Sequence, residues 1–378
     1  MKSKTFPPKI PGFVVEFSKE EKQEIFQYNQ QILESGRLHL GPITEIFEDK
    51  FATILGSKYA IAVNSGSSAL EIIFRSIGVR GSSVLVPSNT NFATAISALN
   101  AGANVRLYDS GLFPKIRDIE EQISLTRDLK VLVIVHIGGY ISPDIYHLRD
   151  YCEKRGIIFI EDAAHAHGSE FDHQFAGTFG HAAAFSFVQS KVITTGEGGA
   201  IVTNDENIAN LSRQYRNQGY AKDGTVHEVH GNSWRMTEYA AAMGVVQLDR
   251  MIARRDHMQT IINKYSTYFD DNPQMKIVKD EKNTISSGYK CIAVARSKKA
   301  KQRLVCSMRE NGVQTTRSVY EMPLHKQPLF VNSIQKGQQF TVADHFSSHH
   351  FCLPLWRTMS CDLVEEVCRR ISMVIECG

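Results

Sequence analysis

Between residues 59 and 162, short apolar runs alternate with segments of helical spacing, and this alternation constrains the fold more than any other feature. The runs 59–63, 82–87, 104–109, 130–137 and 157–162 read as strands, and helices are expected over 69–77, 91–102 and 142–156. Pro143 near the start and Gly156 past the end frame the last of these helices. Strands that are apolar on both faces and joined by helices form a largely parallel sheet with helices on either side. Ligands of such sheets collect beyond the carboxyl ends of the strands.

The flanking segments follow from the same reading. Residues 1–15 are an extended arm broken by prolines, and 18–36 has helical spacing that ends at Gly36. A second helix opens at Gly41-Pro42 and stops at Gly56. Beyond 205 the chain is mostly helical to 269, through segments at 206–219, 234–251 and 253–269. A smaller unit then appears, with strands near 275–278 and 289–296 and helices near 298–311 and 361–376. The expected division is a large domain, 1–255, whose first 35 residues are arm and helix, and a small C-terminal domain, 256–378.

Charge and cysteine usage narrow the class. The net charge is +3 with both signs interspersed, so neither nucleic acid nor a membrane is expected as a partner. Seven cysteines are scattered without CxxC pairs, which argues against a zinc site and a disulfide framework and for a reducing, cytoplasmic setting. Prolines stand where a signal peptide needs an apolar core, and no apolar run is long enough to span a bilayer.

Chemistry concentrates at four strand ends or turns. AAAFSFVQSKVITTGEGGAIVTND, 182–205, reads as a strand, a stiff glycine-rich turn carrying Lys191, and a returning strand. An amine held this way suits a nucleophile that condenses with a carbonyl. Ser65-Gly66-Ser67-Ser68 stands between a strand and a helix, where free N–H groups and the dipole favour a phosphate. Asp162 closes the strand 157–162 and is followed by His165 and His167; Ser186 lies five residues before Lys191. Singly, each has an ordinary explanation: a solvated lysine, a helix cap, a polar turn, a metal ligand set without recognisable spacing. Together, an acid, an amine and a phosphate cradle at one sheet edge are what pyridoxal 5′-phosphate requires.

These residues also carry a family resemblance. SGSSAL, VPSNTNFATA, EDAAHAHG, SFVQSKVITTGEGGAIVTND, SWRMTEYAAAMGVVQL and FCLPLWRTMS resemble the DegT/DnrJ/StrS sugar aminotransferases, over about 30–375. The resemblance implies the fold type I architecture of aspartate aminotransferase: a mixed, mostly parallel sheet of the seven-stranded type with a smaller α/β C-terminal domain. It implies Lys191 as the Schiff-base lysine and proton shuttle, Asp162 against the pyridine nitrogen, and Gly66, Ser67, Ser68 and Ser186 around the phosphate. It also implies a homodimer whose active sites are shared, with Ser233 of Gly231-Asn232-Ser233-Trp234-Arg235 reaching the other subunit's phosphate.

Three positions depart from the commonest family pattern. His165 stands where glutamine is frequent, and Asn91, with Phe92 beside it, stands where an aromatic ring covers the cofactor. Ser233 stands where asparagine is frequent. What stacks on the cofactor ring is thus left open. Glu197, Tyr320 and His325 are expected at the sugar-facing side, whereas Arg213, Arg216 and Lys222 read as a solvated helix face before a diphosphate site. His136 reads equally as a buried core histidine and as a site residue. The activity implied is amino transfer from an amino acid, L-glutamate in this family, to a keto sugar linked to a nucleotide, serving polysaccharide or secondary-metabolite synthesis. The alternatives are a sugar dehydratase, whose relatives carry histidine at the lysine position, and a non-catalytic cofactor-binding regulator.

Overall fold

The computed structural model describes residues 9–316 and 318–376. Most of the expected arm, 1–8, therefore lies outside the described residues, as does Cys377. The helices α1 (Lys19–Ser35) and α2 (Pro42–Leu55) precede the first strand, β1 (Tyr59–Val63). A capping box sets the start of α1: Glu21 N–H donates to Ser18 Oγ while Ser18 N–H donates to Glu21.

The alternating region then runs α3 (Gly66–Ile77), β2 (Ser83–Pro87), α4 (Phe92–Asn100), β3 (Asn104–Tyr108), α5 (Ile116–Leu125), β4 (Leu129–Val135), α6 (Ile145–Glu153) and β5 (Ile158–Asp162). A short hairpin, β6 (Glu170–Phe171) and β7 (Gln174–Phe175), leads to β8 (Ala182–Ser186) and β9 (Gly199–Thr203). The order in the main sheet is β1-β9-β8-β5-β4-β2-β3. β9 is antiparallel to both neighbours, and the remaining pairs are parallel. Strands such as β2 are buried at every position because helices cover both faces.

Three helices complete the path around the sheet: α7 (Glu206–Arg216), α8 (Glu238–Leu248) and α9 (Met251–Tyr268). The last third adds β10 (Met275–Ile277), β11 (Thr284–Ile285), β12 (Cys291–Ala295), α10 (Lys298–Glu310), α11 (Thr341–His349), β13 (His350–Leu353) and α12 (Cys361–Glu376). A second sheet, β10-β12-β13, shares an apolar core with Met258, Ile261 and Tyr265 of α9 and with Ile10 of the arm. Among the described residues no helix is long and apolar enough to cross a membrane.

Several boundaries differ from the sequence reading, each for a local reason. α3 begins at Gly66 rather than 69, because Ser65 caps it by accepting from Ser68 N–H; the serines thus occupy its first turn. The helix expected from 234 begins at Glu238, since the preceding segment bridges β1 through Val63 and Arg235 and Thr237 is the cap. Arg216 is buried rather than solvated: its guanidinium bonds Glu48 and the Ala62 carbonyl.

Candidate active site

Alternation along β8 fixes the ground beneath the lysine. Phe185 and Phe187 enter an aromatic cluster with Phe47 and Phe51 of α2, at centroid separations of 5.0 to 5.5 Å across edge-on pairs. Ser186 points the other way, toward α3. A Cβ added at Gly66 would stand 2.8 Å from Ser186 Cβ, so glycine there permits the close packing of α3 on β8. Gly199 does the same on the returning strand, where a Cβ would fall 2.3 Å from the Ser65 carbonyl carbon. The glycine-rich turn thereby presses the lysine loop onto the Ser65–Ser68 junction.

The loop itself is held by its backbone. Phe187 N–H donates to the Gly198 carbonyl and Thr195 N–H to the Phe187 carbonyl, while Lys191 N–H closes a turn onto Val188. Gln247 of α8 reads the peptide at Thr194 in both directions, accepting from its N–H at 3.2 Å and donating to its carbonyl at 2.6 Å. Arg254 and Arg357 in turn donate to Gln247 Oε1, which fixes that amide's orientation. Sequence reading passed over Gln247, since a buried glutamine inside an apolar helix carries no motif.

Lys191 projects half-buried into a cavity of about 640 Å³ that His165, Asn91, Ser190, Tyr289, Lys290 and Tyr320 help to line. Burial is the main cause that lowers its pKa to about 7; the Asp162 charge opposes this and Lys290 adds to it. Its Nζ lies 4.8 Å from the centre of the Tyr289 ring. Asp162 is buried at the end of β5 and accepts from Thr94 Oγ1 at 2.7 Å and from Ala164 N–H at 3.2 Å. Burial raises its pKa, against those two hydrogen bonds and the charges of Lys191 and His136.

His165 stacks on Tyr289 at 4.2 Å and more distantly on Tyr320 at 5.8 Å. Gly138 N–H donates to its Nδ1, so the ring proton of the neutral form sits on Nε2. Burial, then Lys191 and Lys290, push its pKa well below the usual histidine value, and the ring is neutral. His167 turns away from the cavity, packs against the rings of Phe185 and Phe187, and has its pKa lowered to about 3. Among the described residues no group of three acids, histidines or cysteines can hold a metal ion. His136 is fully buried past the end of β4 and pairs with Glu161 at 2.8 Å. Glu161 also accepts from the N–H groups of Gly177, Phe179 and Gly180, so this pair anchors the loop into β8.

The other expected residues fall into two groups. Ser67 is exposed in the first turn of α3, Ser68 is buried with its hydroxyl on Asn64 and Ser65, and half-buried Ser186 abuts Gly66. Asn91 and Tyr320 line the cavity; Asn91 Oδ1 caps α4 through Ala93 N–H, and Phe92 is exposed. Glu197, Ser233 and His325 stand outside the cavity lining of their own chain. Glu197 is exposed, Ser233 Oγ accepts from Arg235, and His325 is tied to Ser88 and Asp344 beneath Phe340. Tyr289, Lys290 and Thr94 are the site residues that motif reading missed. A larger cleft of about 760 Å³ between α1 and α9 holds charges that pair with one another, as Glu21 does with Arg254.

A seven-stranded sheet bearing a half-buried lysine, a buried acid at the adjacent strand end and a glycine-packed helix start defines a lysine-dependent transferase of the large-sheet class. The chain belongs to the DegT/DnrJ/EryC1/StrS aminotransferase family, whose pattern it matches over residues 19–372. It is 29% identical over 344 residues to the GDP-perosamine synthase of Vibrio cholerae, covering 89% of this chain and 92% of that one. It is 28% identical over 372 residues to the dTDP-3-amino-3,4,6-trideoxy-alpha-D-glucose transaminase of Micromonospora megalomicea subsp. nigra, covering 96% and 98%. Among solved structures, S. venezuelae DesV in complex with a ketimine intermediate superposes with a TM-score of 0.89 at 26% identity, covering 98% of this chain and 99% of that one. The fold is thus the mixed α/β fold of the sugar aminotransferases.

Proposed function

We propose that this protein moves an amino group from an amino acid, L-glutamate as first donor to test, to the ketone of a nucleotide-linked sugar, with pyridoxal 5′-phosphate as cofactor. The observation that carries the proposal is that Lys191, in the loop after β8, and buried Asp162, at the end of the neighbouring β5, feel each other's charge, with the amine lowered to about 7. The residues fit that cofactor: Asp162 retains acceptor capacity beyond Thr94 and Ala164, and the Gly66–Ser186 approach leaves the start of α3 facing the sheet edge. When bound, pyridoxal phosphate supplies an aldehyde that takes up amines and a ring that accepts electrons.

This chain's residues then have distinct tasks. Lys191 Nζ, partly neutral near pH 7, is the nucleophile that holds the cofactor and the base that carries a proton to and from the substrate carbon. Asp162 keeps the ring nitrogen protonated. Ser67, Ser68 and Ser186, with Gly66, receive the phosphate, and the Nε2–H of His165 is a donor for the phenolic oxygen. Ser233 serves the site of a second copy, which makes the working unit a homodimer, and Glu197 is exposed where such a copy or a sugar can meet it. Tyr320 faces the sugar, with His325 bracing the loop through Ser88. The relatives named above support a sugar as acceptor, and the free cysteines among the described residues support a cytoplasmic setting.

Incubation with pyridoxal phosphate, L-glutamate and 3-keto or 4-keto nucleotide sugars, read by mass spectrometry, tests the reading. An amino sugar is expected. A dehydrated product, or none from the whole panel, would overturn it. Lys191→Ala is expected to abolish turnover and the cofactor's lysine-bound absorbance while the fold is kept; near-normal transamination by that variant would contradict Lys191 as the anchor.

A further inference from the structure

The cavity contains a second lysine. Lys290 immediately precedes β12, and its Nζ stands 4.9 Å from the centre of the same Tyr289 ring that Lys191 approaches at 4.8 Å from its own side chain. Two nitrogens within 5 Å of one ring centre are less than 10 Å apart. The Phe13 ring of the arm lies 5.9 Å from the Lys290 ammonium. Lys290 is half-buried, and among the described residues it has no carboxylate within ion-pair reach. Among the described residues no acidic side chain lines this cavity, and Lys290 and Lys191 are the charged groups on its walls.

An ammonium drawn out of water and left without a counter-ion is a costly arrangement. Burial lowers the Lys290 pKa, the expected response of an ammonium whose partner is missing. An anion brought by a substrate relieves that cost, so the cavity is built to take a negative charge beside the reacting amine. Reach then selects which anion. In an amino-acid donor the α-carboxylate is joined to the carbon that bears the reacting nitrogen. Three bonds of about 1.2–1.5 Å place its oxygens within roughly 4 Å of that nitrogen. The diphosphate of a nucleotide-linked sugar is separated from a ketone at C3 or C4 by the breadth of the sugar ring. A lysine sharing one tyrosine with Lys191 suits the nearer charge.

We infer that Lys290 is the residue that binds the α-carboxylate of the amino-acid donor. It acts as a point charge at the cavity wall, with Tyr289 and Phe13 excluding water from the pair. This assignment rests on the reading that an amino acid supplies the amine, and the test separates the two.

The pyridoxal-phosphate-loaded protein and its Lys290→Gln and Lys290→Arg variants are mixed with L-glutamate and with L-glutamic acid α-amide, and the donor half-reaction is followed by the change in cofactor absorbance. Calorimetry gives each protein's affinity for α-methyl-L-glutamate, which cannot complete proton transfer. In Lys290→Gln, KM and Kd for the α-carboxylate donors should rise ~10- to 100-fold, with partial recovery in Lys290→Arg. The α-amide should react poorly with the native protein and lose little more in Lys290→Gln. The sugar KM should move little.

If native protein reacts with glutamate while Lys290→Gln matches it, or if only the sugar KM rises, the assignment to Lys290 fails. If native protein reacts with no amino acid, the aminotransferase reading fails instead. An unchanged visible spectrum of the loaded variant shows that the site has formed.

Discussion

Lys191 couples protonation to both stability and reactivity. Its folded-state pKa is about 7, against the much higher value of a solvated lysine in the unfolded chain. Below about 7 both states hold the proton, and the folded state bears the cost of a desolvated ammonium. Between about 7 and the unfolded value only the unfolded chain still holds it, so the stability of cofactor-free protein rises with pH through that window. Denaturant titration of the cofactor-free protein from pH 6 to 10 should show this rise, and Lys191→Met should remove that part of it. Uptake of pyridoxal phosphate should accelerate through about pH 7 and level off above it. The neighbours set the midpoint with opposite signs. Asp162→Asn should lower it, because Asp162 raises the amine's pKa, and Lys290→Gln should raise it, because Lys290 has the reverse effect. Stopped-flow absorbance across pH measures both. Lys191 and Asp162 were legible from sequence because each stands in a motif at a strand end. Thr94, Tyr289 and Lys290 were not, since each faces the site only through packing between distant segments.

The elements are positioned by close approaches rather than by propensity. α3 lies against β8 only because position 66 has no side chain, its would-be Cβ standing 2.8 Å from Ser186 Cβ, 3.2 Å from Ser186 Cα and 3.3 Å from the Phe185 carbonyl. Gly66→Ala must displace the helix or bend the strand. A loss of about 1–3 kcal/mol in urea denaturation is expected, with weaker cofactor binding in an absorbance titration. An unchanged affinity would show that the approach does not shape the phosphate cradle. The same scale explains which elements the sequence displayed. β1, α2 and α10 emerged within a residue or so because apolar spacing and caps agree there. α11 and β13 did not: a histidine-rich stretch and a short buried strand, His350–Leu353, lack a period long enough to read. α5, between β3 and β4, passed unnoticed beneath its dense charge.

At the scale of the whole molecule, Ser233 and Glu197 stand apart from the cavity of their own chain, an arrangement suited to sites completed by a second copy. Coexpression tests this. Lys191→Ala and Ser233→Glu are each expected to be inactive alone, the second because a carboxylate repels the phosphate. In a mixed dimer, one site combines native Lys191 with the partner's native Ser233, so activity should return to roughly a quarter of the native level for random pairing. No recovery in isolated mixed dimers would place Ser233 in a purely local role.

By itself the sequence determined the alternating sheet, the strand ends where ligands gather, and the lysine–acid pair, because periodicity and strand-end chemistry are local in the chain. Only the tertiary structure decided what surrounds that pair. β12, the arm and the loop at 320 come from remote parts of the chain, and bringing their side chains together set the charge and pKa values of the cavity.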